Sequence, residues 1–122
     1  MIDFSNKKFL KLKQDPGYAS KVEPLLVHDE MILDSYKSVR DGVVFTDRRI
    51  ISVNVQGLTG KKVDFTSIPY NKIVLFSVET AGTFDLDAEL DIRVSGMNQP
   101  IRFEFRGSSK VVELSKYIAQ AI

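Results

Sequence analysis

The chain has 122 residues and a formal net charge of +1, from 17 lysines and arginines against 16 aspartates and glutamates. This length suits one domain, and 43% hydrophobic with 27% charged residues is typical of a globular protein. The absence of cysteine excludes a disulfide framework, a thiol nucleophile and a thiolate metal site. No apolar run reaches the roughly 18 residues of a membrane-spanning helix, and the N-terminal residues lack the apolar core of a signal peptide. We therefore expect a cytoplasmic protein.

Residues 1–28 are predicted to form a helical N-terminal arm. Residues 4–14 carry a partial apolar stripe at helical spacing, and Pro16 ends this segment. A second helical segment is predicted over residues 18–27, and it should be broken or partly 3₁₀ because it contains Pro24.

Residues 29–122 are expected to form the domain itself, because apolar residues there alternate with polar ones as they do in β-strands. The alternation is clearest at residues 101–106, where Ile, Phe and Phe alternate with Arg, Glu and Arg. Asp41-Gly42 predicts a tight hairpin between the first two strands. Seven strands are predicted, over residues 31–39, 43–46, 51–55, 63–66, 73–79, 89–94 and 101–106.

The chain ends in a predicted amphipathic helix. Its apolar residues recur at spacings of three and four, at Val111, Leu114, Ile118, Ala121 and Ile122. About seven antiparallel strands in two sheets, of four and three, leave an open corner that such a helix covers. The sequence therefore predicts a mainly β fold with a C-terminal α-helix, arranged as a barrel like that of pleckstrin-homology (PH) domains.

Four stretches of the chain also carry a family resemblance, and they are Ser38–Ile50, Gln56–Val63, Ser67–Tyr70 and Phe76–Leu90. They are similar to the short stand-alone bacterial PH domains, and the similarity extends over residues 22–122. The resemblance implies the PH-like barrel, a cytoplasmic bacterial protein without known catalytic activity, and self-assembly into rings. It implies no particular ligand.

The chain differs from the eukaryotic PH domains that bind phosphoinositides. In those domains a long, basic first hairpin loop clasps the phosphates, whereas here Arg40-Asp41-Gly42 closes the hairpin in few residues. The tryptophan that is usual in their C-terminal helix is also missing, since the chain contains none. Phosphoinositide binding is therefore not carried over to this chain.

The sequence carries no recognisable pattern for catalysis, a cofactor or a metal site. His28 is the only histidine and belongs to no Ser–His–acid arrangement, and a zinc site needs three or four ligands. The acidic run at residues 85–91 has Leu90 where a calcium loop needs glycine. A strand there would turn four apolar side chains inward, those of Leu86, Ala88, Leu90 and Ile92. Its acids would face outward, into water or paired with Lys or Arg of a neighbouring strand. The alternatives are a weak metal site and an acidic strip that faces a partner. We expect no enzyme activity, no catalytic residue, no metal ligand and no cofactor.

Charge is segregated along the chain. Residues 37–62 hold six basic side chains against two acids, and residues 79–91 hold five acids and no basic residue. The six basic residues come from adjacent strands and two turns and are candidates for one patch: Lys37, Arg40, Arg48, Arg49, Lys61 and Lys62. Such a patch could hold a partner protein, phosphate groups or lipid headgroups. The alternative is that the arginines pair with acids across strands, and the balanced overall charge argues against nucleic acid.

These patterns favour a non-catalytic PH-like interaction module that forms homo-oligomers through protein–protein contacts. Its acidic candidates, Asp85, Asp87 and Glu89, would dock on the basic patch of a neighbour in a head-to-tail contact that gives a ring or a filament. Leu58 lies in a glycine-flanked turn and should be exposed. Together with Phe84 it would supply apolar affinity. The alternative function is peripheral binding of anionic membrane surfaces or phosphate-bearing ligands through the basic patch.

Overall fold

The computed structural model describes residues 1–4, 9–83, 86–107 and 110–122. In these residues the chain forms eight strands, one α-helix and two 3₁₀ segments. The strands are β1 (Phe9–Gln14), β2 (Ile32–Lys37), β3 (Gly42–Thr46), β4 (Arg49–Gln56), β5 (Lys62–Pro69), β6 (Ile73–Glu79), β7 (Ala88–Val94) and β8 (Ile101–Phe105). The helix is α1 (Val111–Ala121), and the 3₁₀ segments cover Pro16–Leu25 and Tyr70–Lys72. The predicted strands are therefore present, with one more at the N-terminal end.

One curled sheet contains all eight strands, in the order β5-β4-β3-β2-β1-β8-β7-β6. β1 lies between β2 and β8, antiparallel to the first and parallel to the second. All the other neighbouring pairs are antiparallel. The prediction of two separate sheets is therefore corrected, because β1 joins the two halves into one PH-like half-barrel with β5 and β6 at its edges.

The helix predicted over residues 4–14 is wrong for its second half, which forms β1. Phe9 and Leu12 are both buried although they lie three positions apart. The strand bulges between them, and Lys11 has a left-handed φ of 59°. This bulge places side chains three apart on one face, a spacing that otherwise indicates a helix. Residues 5–8 of the predicted helix lie outside the described residues.

The 3₁₀ segment Pro16–Leu25 confirms the broken helical structure predicted around Pro24. It lies across the outer face of the sheet, where Tyr18 is buried with apolar side chains of β3 and β4. The Tyr18 ring packs directly on Gly42, and any side chain at that position would overlap the ring. The Tyr18 hydroxyl also donates to the Arg40 carbonyl at 2.9 Å. The segment is thereby fixed to the sheet at the start of β3.

The inner face of the curled sheet holds the main core, and α1 completes it. Aromatic rings from different strands pack together there, with centroids 5.4 Å apart for Phe9 and Phe103 and 4.7 Å apart for Tyr36 and Phe105. α1 adds three buried side chains from its apolar stripe, Val111, Leu114 and Ile118. The predicted amphipathic helix is thus confirmed.

Candidate functional site

The six basic candidates do not lie in one patch. Arg48 and Arg49 lie where β3 turns into β4, and the other four lie at the opposite end of these strands. β3 has five residues with a rise of about 3.4 Å each, so the two groups are separated by about 14 Å along the strands. The prediction of a single patch is corrected, because successive turns of a meander alternate between its two ends.

Arg49 belongs to an internal ion pair. Its guanidinium donates to both carboxylate oxygens of Glu30 at 2.9 Å and to the Leu25 carbonyl at 2.8 Å. The Glu30 side chain is fully buried and also accepts a hydrogen bond from Thr46 at 2.7 Å. The hydrogen bonds from Arg49 and Thr46 outweigh burial and lower the pKa of Glu30 to about 2. Arg49 therefore fastens the end of the 3₁₀ segment to the sheet, as the pairing alternative for the arginines expects.

The hairpin-tip surface is formed by the β2–β3 and β4–β5 turns. Arg40 Nη1 donates to the Gly57 carbonyl at 2.7 Å, which holds the two turns side by side. Beside these groups, Val39 and Leu58 are 88% and 105% exposed, the highest values among the described large apolar side chains apart from Met1. Left-handed φ angles of 76° at Gly57 and 68° at Gly60 make the turn that projects Leu58. We define this surface by Val39, Arg40, Leu58, Lys61 and Lys62.

Positive charge dominates the hairpin-tip surface. Lys61 and Lys62 are exposed, and neither has an ion-pair partner in the part of the chain that the structure describes. The Asp41 carboxylate, from the same hairpin as Arg40, instead accepts hydrogen bonds from the Val55 backbone at 2.9 Å and from Asn54 at 3.2 Å. The surface therefore presents three cations, while the nearby carboxylate is held against β4.

The acidic run faces outward from β7, as its alternation predicts. β7 turns three apolar side chains into the core, those of Ala88, Leu90 and Ile92. The inward position predicted for Leu86 is wrong, since its side chain is 64% exposed and β7 begins only at Ala88. The other candidates in this stretch, Phe84 and Asp85, lie outside the described residues.

Two arginines neutralise part of this acidic face. Arg102 donates to both carboxylate oxygens of Asp91, at 2.8 and 3.1 Å, and its guanidinium lies 3.7 Å from Glu89. Asp87 and Arg106 are 3.9 Å apart. The expected pairing of acids with arginines across strands is thereby confirmed for Asp91, and Glu89 has only the longer contact.

A row of three glutamates crosses β6, β7 and β8 on the outer face, and we call it the glutamate row. Glu79 lies directly opposite Glu89, and Glu89 lies directly opposite Glu104. Burial raises the pKa of Glu89, and the carboxylates of the row add to this rise against the effect of Arg102. Sequence reasoning missed Glu104, because only the register of β8 against β7 brings it beside Glu89.

A lysine pair lies elsewhere on the same outer face. Lys13 of β1 is directly opposite Lys37 of β2. Lys37 lies opposite Gly42, which lies opposite Val53. Val53 packs with Tyr18 under the 3₁₀ segment, so Lys37 belongs to the row of residues on this outer face. Both lysines are exposed. Like charges directly opposite each other destabilise a sheet. The lysine pair and the glutamate row therefore each lower the stability of the isolated molecule.

The described residues contain no group of three or more acidic, histidine or cysteine side chains placed to hold a metal ion. His28 is 95% exposed, lies 3.3 Å from Asp29, and has its carbonyl 3.4 Å from the exposed Arg48. Within the same ranges, no helix is both long and apolar enough to cross a bilayer. The candidate interaction sites are the hairpin-tip surface, the glutamate row and the lysine pair.

The sequence of the chain is similar to a family model and to known proteins. The model of the bacterial PH domain matches residues 4–122. The chain is 47% identical over 96 residues to the uncharacterized protein YjqA of Bacillus subtilis, which covers 78% of this chain and 77% of that protein. It is 40% identical over 72 residues to the uncharacterized protein YozO of the same organism, covering 59% of this chain and 62% of that one.

Solved structures agree with the family match. A DUF1696 family protein with a pleckstrin-homology domain from Shewanella loihica has a TM-score of 0.78 and 38% identity, over 92% of this chain and 97% of that one. A pleckstrin-homology domain from Shewanella amazonensis has a TM-score of 0.64 and 44% identity, over 95% and 91%. A PH-domain-containing protein from Exiguobacterium sibiricum shares the fold, with a TM-score of 0.66 at 23% identity over 90% and 61%. The chain therefore belongs to the bacterial PH domain family.

Proposed function

We propose that this protein is a non-catalytic PH-like interaction module that self-associates, with the glutamate row of one copy docked on the lysine pair of a second copy. One observation carries the proposal: a row of glutamates and a pair of lysines lie on the outer face of one sheet. Within each group, the charged residues lie directly opposite one another on neighbouring strands. Each row is unfavourable by itself, because like charges face each other across strands. Charges of opposite sign from neighbouring copies relieve both rows.

The spacing of the two rows supports this docking. Adjacent strands lie about 4.8 Å apart, so Lys13 and Lys37 are separated across strands by the same step as Glu79 and Glu89. Two ion pairs can therefore form together. In a head-to-tail contact the two rows of one copy engage two different neighbours, and the assembly is a ring if the rotation closes and a filament if it does not.

Exposed apolar side chains on the same edge strand as Glu79 support the affinity that such a contact needs. Ion pairs at an interface mainly steer and orient the partners, whereas buried apolar groups supply most of the binding energy. Val74 and Leu75 are 66% and 62% exposed on β6, which is an edge strand of the sheet. A surface cleft of about 290 Å³ is lined by Leu75 together with Ser77 and Arg93. Val74 and Leu75 take the apolar role that the sequence suggested for Phe84.

Light scattering after size exclusion, at tens of micromolar protein and about 0.15 M salt, tests the proposal. The unchanged protein is expected to have the mass of an assembly. The double variant Glu79→Lys, Glu89→Lys should weaken association at least about tenfold, because two attractions become repulsions. Glu113→Lys changes an exposed acid on α1, outside both rows, and should keep the assembly. A monomeric mass for the unchanged protein, or equal weakening by the control, would overturn the proposal.

A further inference from the structure

The hairpin-tip surface combines exposed apolar side chains with cations, and the self-association proposed above does not use it. Exposed apolar residues on soluble proteins are ordinarily scattered singly. Here the hydrogen bond from Arg40 to the Gly57 carbonyl brings Val39 and Leu58 to the same end of the molecule. We propose that this surface docks on an anionic lipid bilayer, with Val39 and Leu58 entering the headgroup region.

The cations of the surface match an anionic bilayer. Arg40, Lys61 and Lys62 lie in or beside the same two turns as the two apolar side chains, and the carboxylate of Asp41 hydrogen-bonds to β4. Each cation beside an anionic bilayer strengthens binding about fivefold. Three of them give a preference of about a hundredfold for an anionic bilayer over a neutral one.

The backbone of the two turns is suited to the interface. The Gly57 carbonyl accepts hydrogen bonds from Gly60 N–H at 3.3 Å and from Arg40 at 2.7 Å. The other turn is closed by Ser38 N–H, which donates to the Asp41 carbonyl at 2.8 Å. Backbone groups that leave water without a partner oppose membrane entry. These turns therefore carry their exposed side chains toward lipid with several backbone groups already hydrogen-bonded.

The two apolar side chains favour a bilayer over a soluble phosphate compound. A free phosphate group would engage the cations but would leave Leu58 and Val39 in water. A bilayer surface takes up both kinds of side chain, since its headgroups attract the cations and its acyl boundary accepts the apolar groups. The apolar side chains also project from the ends of turns, which lets them reach a flat surface together.

A tryptophan reporter tests the insertion directly, because the chain contains no tryptophan. In Leu58→Trp, emission is expected to shift to shorter wavelength when vesicles of equal parts phosphatidylglycerol and phosphatidylcholine are added at low salt. Met31→Trp is the matched control, since Met31 is 63% exposed but lies beside the β3–β4 turn, at the opposite end from the tips, and its emission should not respond to the vesicles. Vesicles of phosphatidylcholine alone should leave both variants unchanged.

Co-sedimentation with the same anionic vesicles tests the cations. The double variant Lys61→Gln, Lys62→Gln should bind about 25-fold more weakly, whereas Lys72→Gln, Lys110→Gln removes two exposed lysines elsewhere and should not. Binding should disappear at about 1 M salt, where the Debye length is about 3 Å. The proposal is overturned by no co-sedimentation at low salt, or by equal emission shifts at positions 58 and 31. Displacement of the vesicles by inorganic phosphate more than by chloride at equal ionic strength would also overturn it, because it indicates a phosphate site.

Discussion

The two ends of strands β3 and β4 place arginines in different physical situations. Where β3 turns into β4, Arg49 is 22% exposed and forms hydrogen bonds to the fully buried carboxylate of Glu30. At the other end, the exposed Arg40 donates to the carbonyl of Gly57 on a neighbouring turn. Both arginines lie near hairpin turns of the same basic stretch of sequence. A basic side chain here is available to a ligand only where no buried acid accepts its hydrogen bonds.

The 3₁₀ segment Pro16–Leu25 explains why the ends differ. At one end the segment is held by the Arg49 side chain, which donates to the Leu25 carbonyl at 2.8 Å. At the other end Tyr18 donates to the backbone carbonyl of Arg40 at 2.9 Å. The sheet thus uses a guanidinium to fix one end of the segment and a carbonyl to fix the other. The guanidinium of Arg40 is left at the surface.

The largest effect is expected from breaking the anchored end with Arg49→Ala. This variant leaves the buried Glu30 carboxylate without its cation and should destabilise the protein by about 3–5 kcal/mol. Arg48→Ala is the matched control, because Arg48 is exposed and its guanidinium has one contact of 3.4 Å to the His28 carbonyl. Its change should stay within about 0.5 kcal/mol. Urea unfolding measures both, and equal losses would mean that Arg49 does not anchor the segment.

The pair of Glu30 and Arg49 also predicts a smaller effect, in which stability depends on pH. The pKa of Glu30 is about 2 in the folded protein against an ordinary value of 4.5, so the unfolded chain binds this proton first as the pH falls. The stability from the pair is therefore fully present above pH 4.5 and is lost as the pH falls toward 2. The stability difference between the unchanged protein and Glu30→Gln should shrink between about pH 6 and about pH 3. A difference that is constant with pH would contradict the anchoring role of the charged form.

Much of the fold could be predicted from local patterns of the sequence. Strand β1 is the exception, and a bulge within it is the cause. Alternation located the later strands, and the spacing of Leu114 and Ile118 located the helix. β1 was missed because the bulge at Lys11 places Phe9 and Leu12 on one face at a helical spacing. Without β1, nothing in the sequence joins the two halves of the sheet.

The candidate surfaces could be predicted only where they depend on neighbours in sequence. The exposure of Leu58 follows from glycines at 57 and 60, and that prediction is confirmed. The pair of Glu30 and Arg49 joins residues 19 positions apart, and the glutamate row depends on the register of three strands. Register and tertiary contact are set by the whole core, so a single stretch of sequence does not reveal them.

The smallest effect on stability is expected at the hairpin-tip end, for the double variant Lys61→Gln, Lys62→Gln. Both lysines are exposed and have no ion-pair partner within the described residues, so the folded protein loses no contact when their charges are removed. The free energy of unfolding should change by less than about 0.5 kcal/mol, and any change should be a gain, because two neighbouring like charges no longer repel. Urea unfolding of this variant and of Arg49→Ala compares the loss of unfolding free energy at the two ends of strands β3 and β4. A loss above about 1 kcal/mol would show that these lysines are held by acids in the folded state, as Arg49 is, and the contrast between the two ends would then be lost.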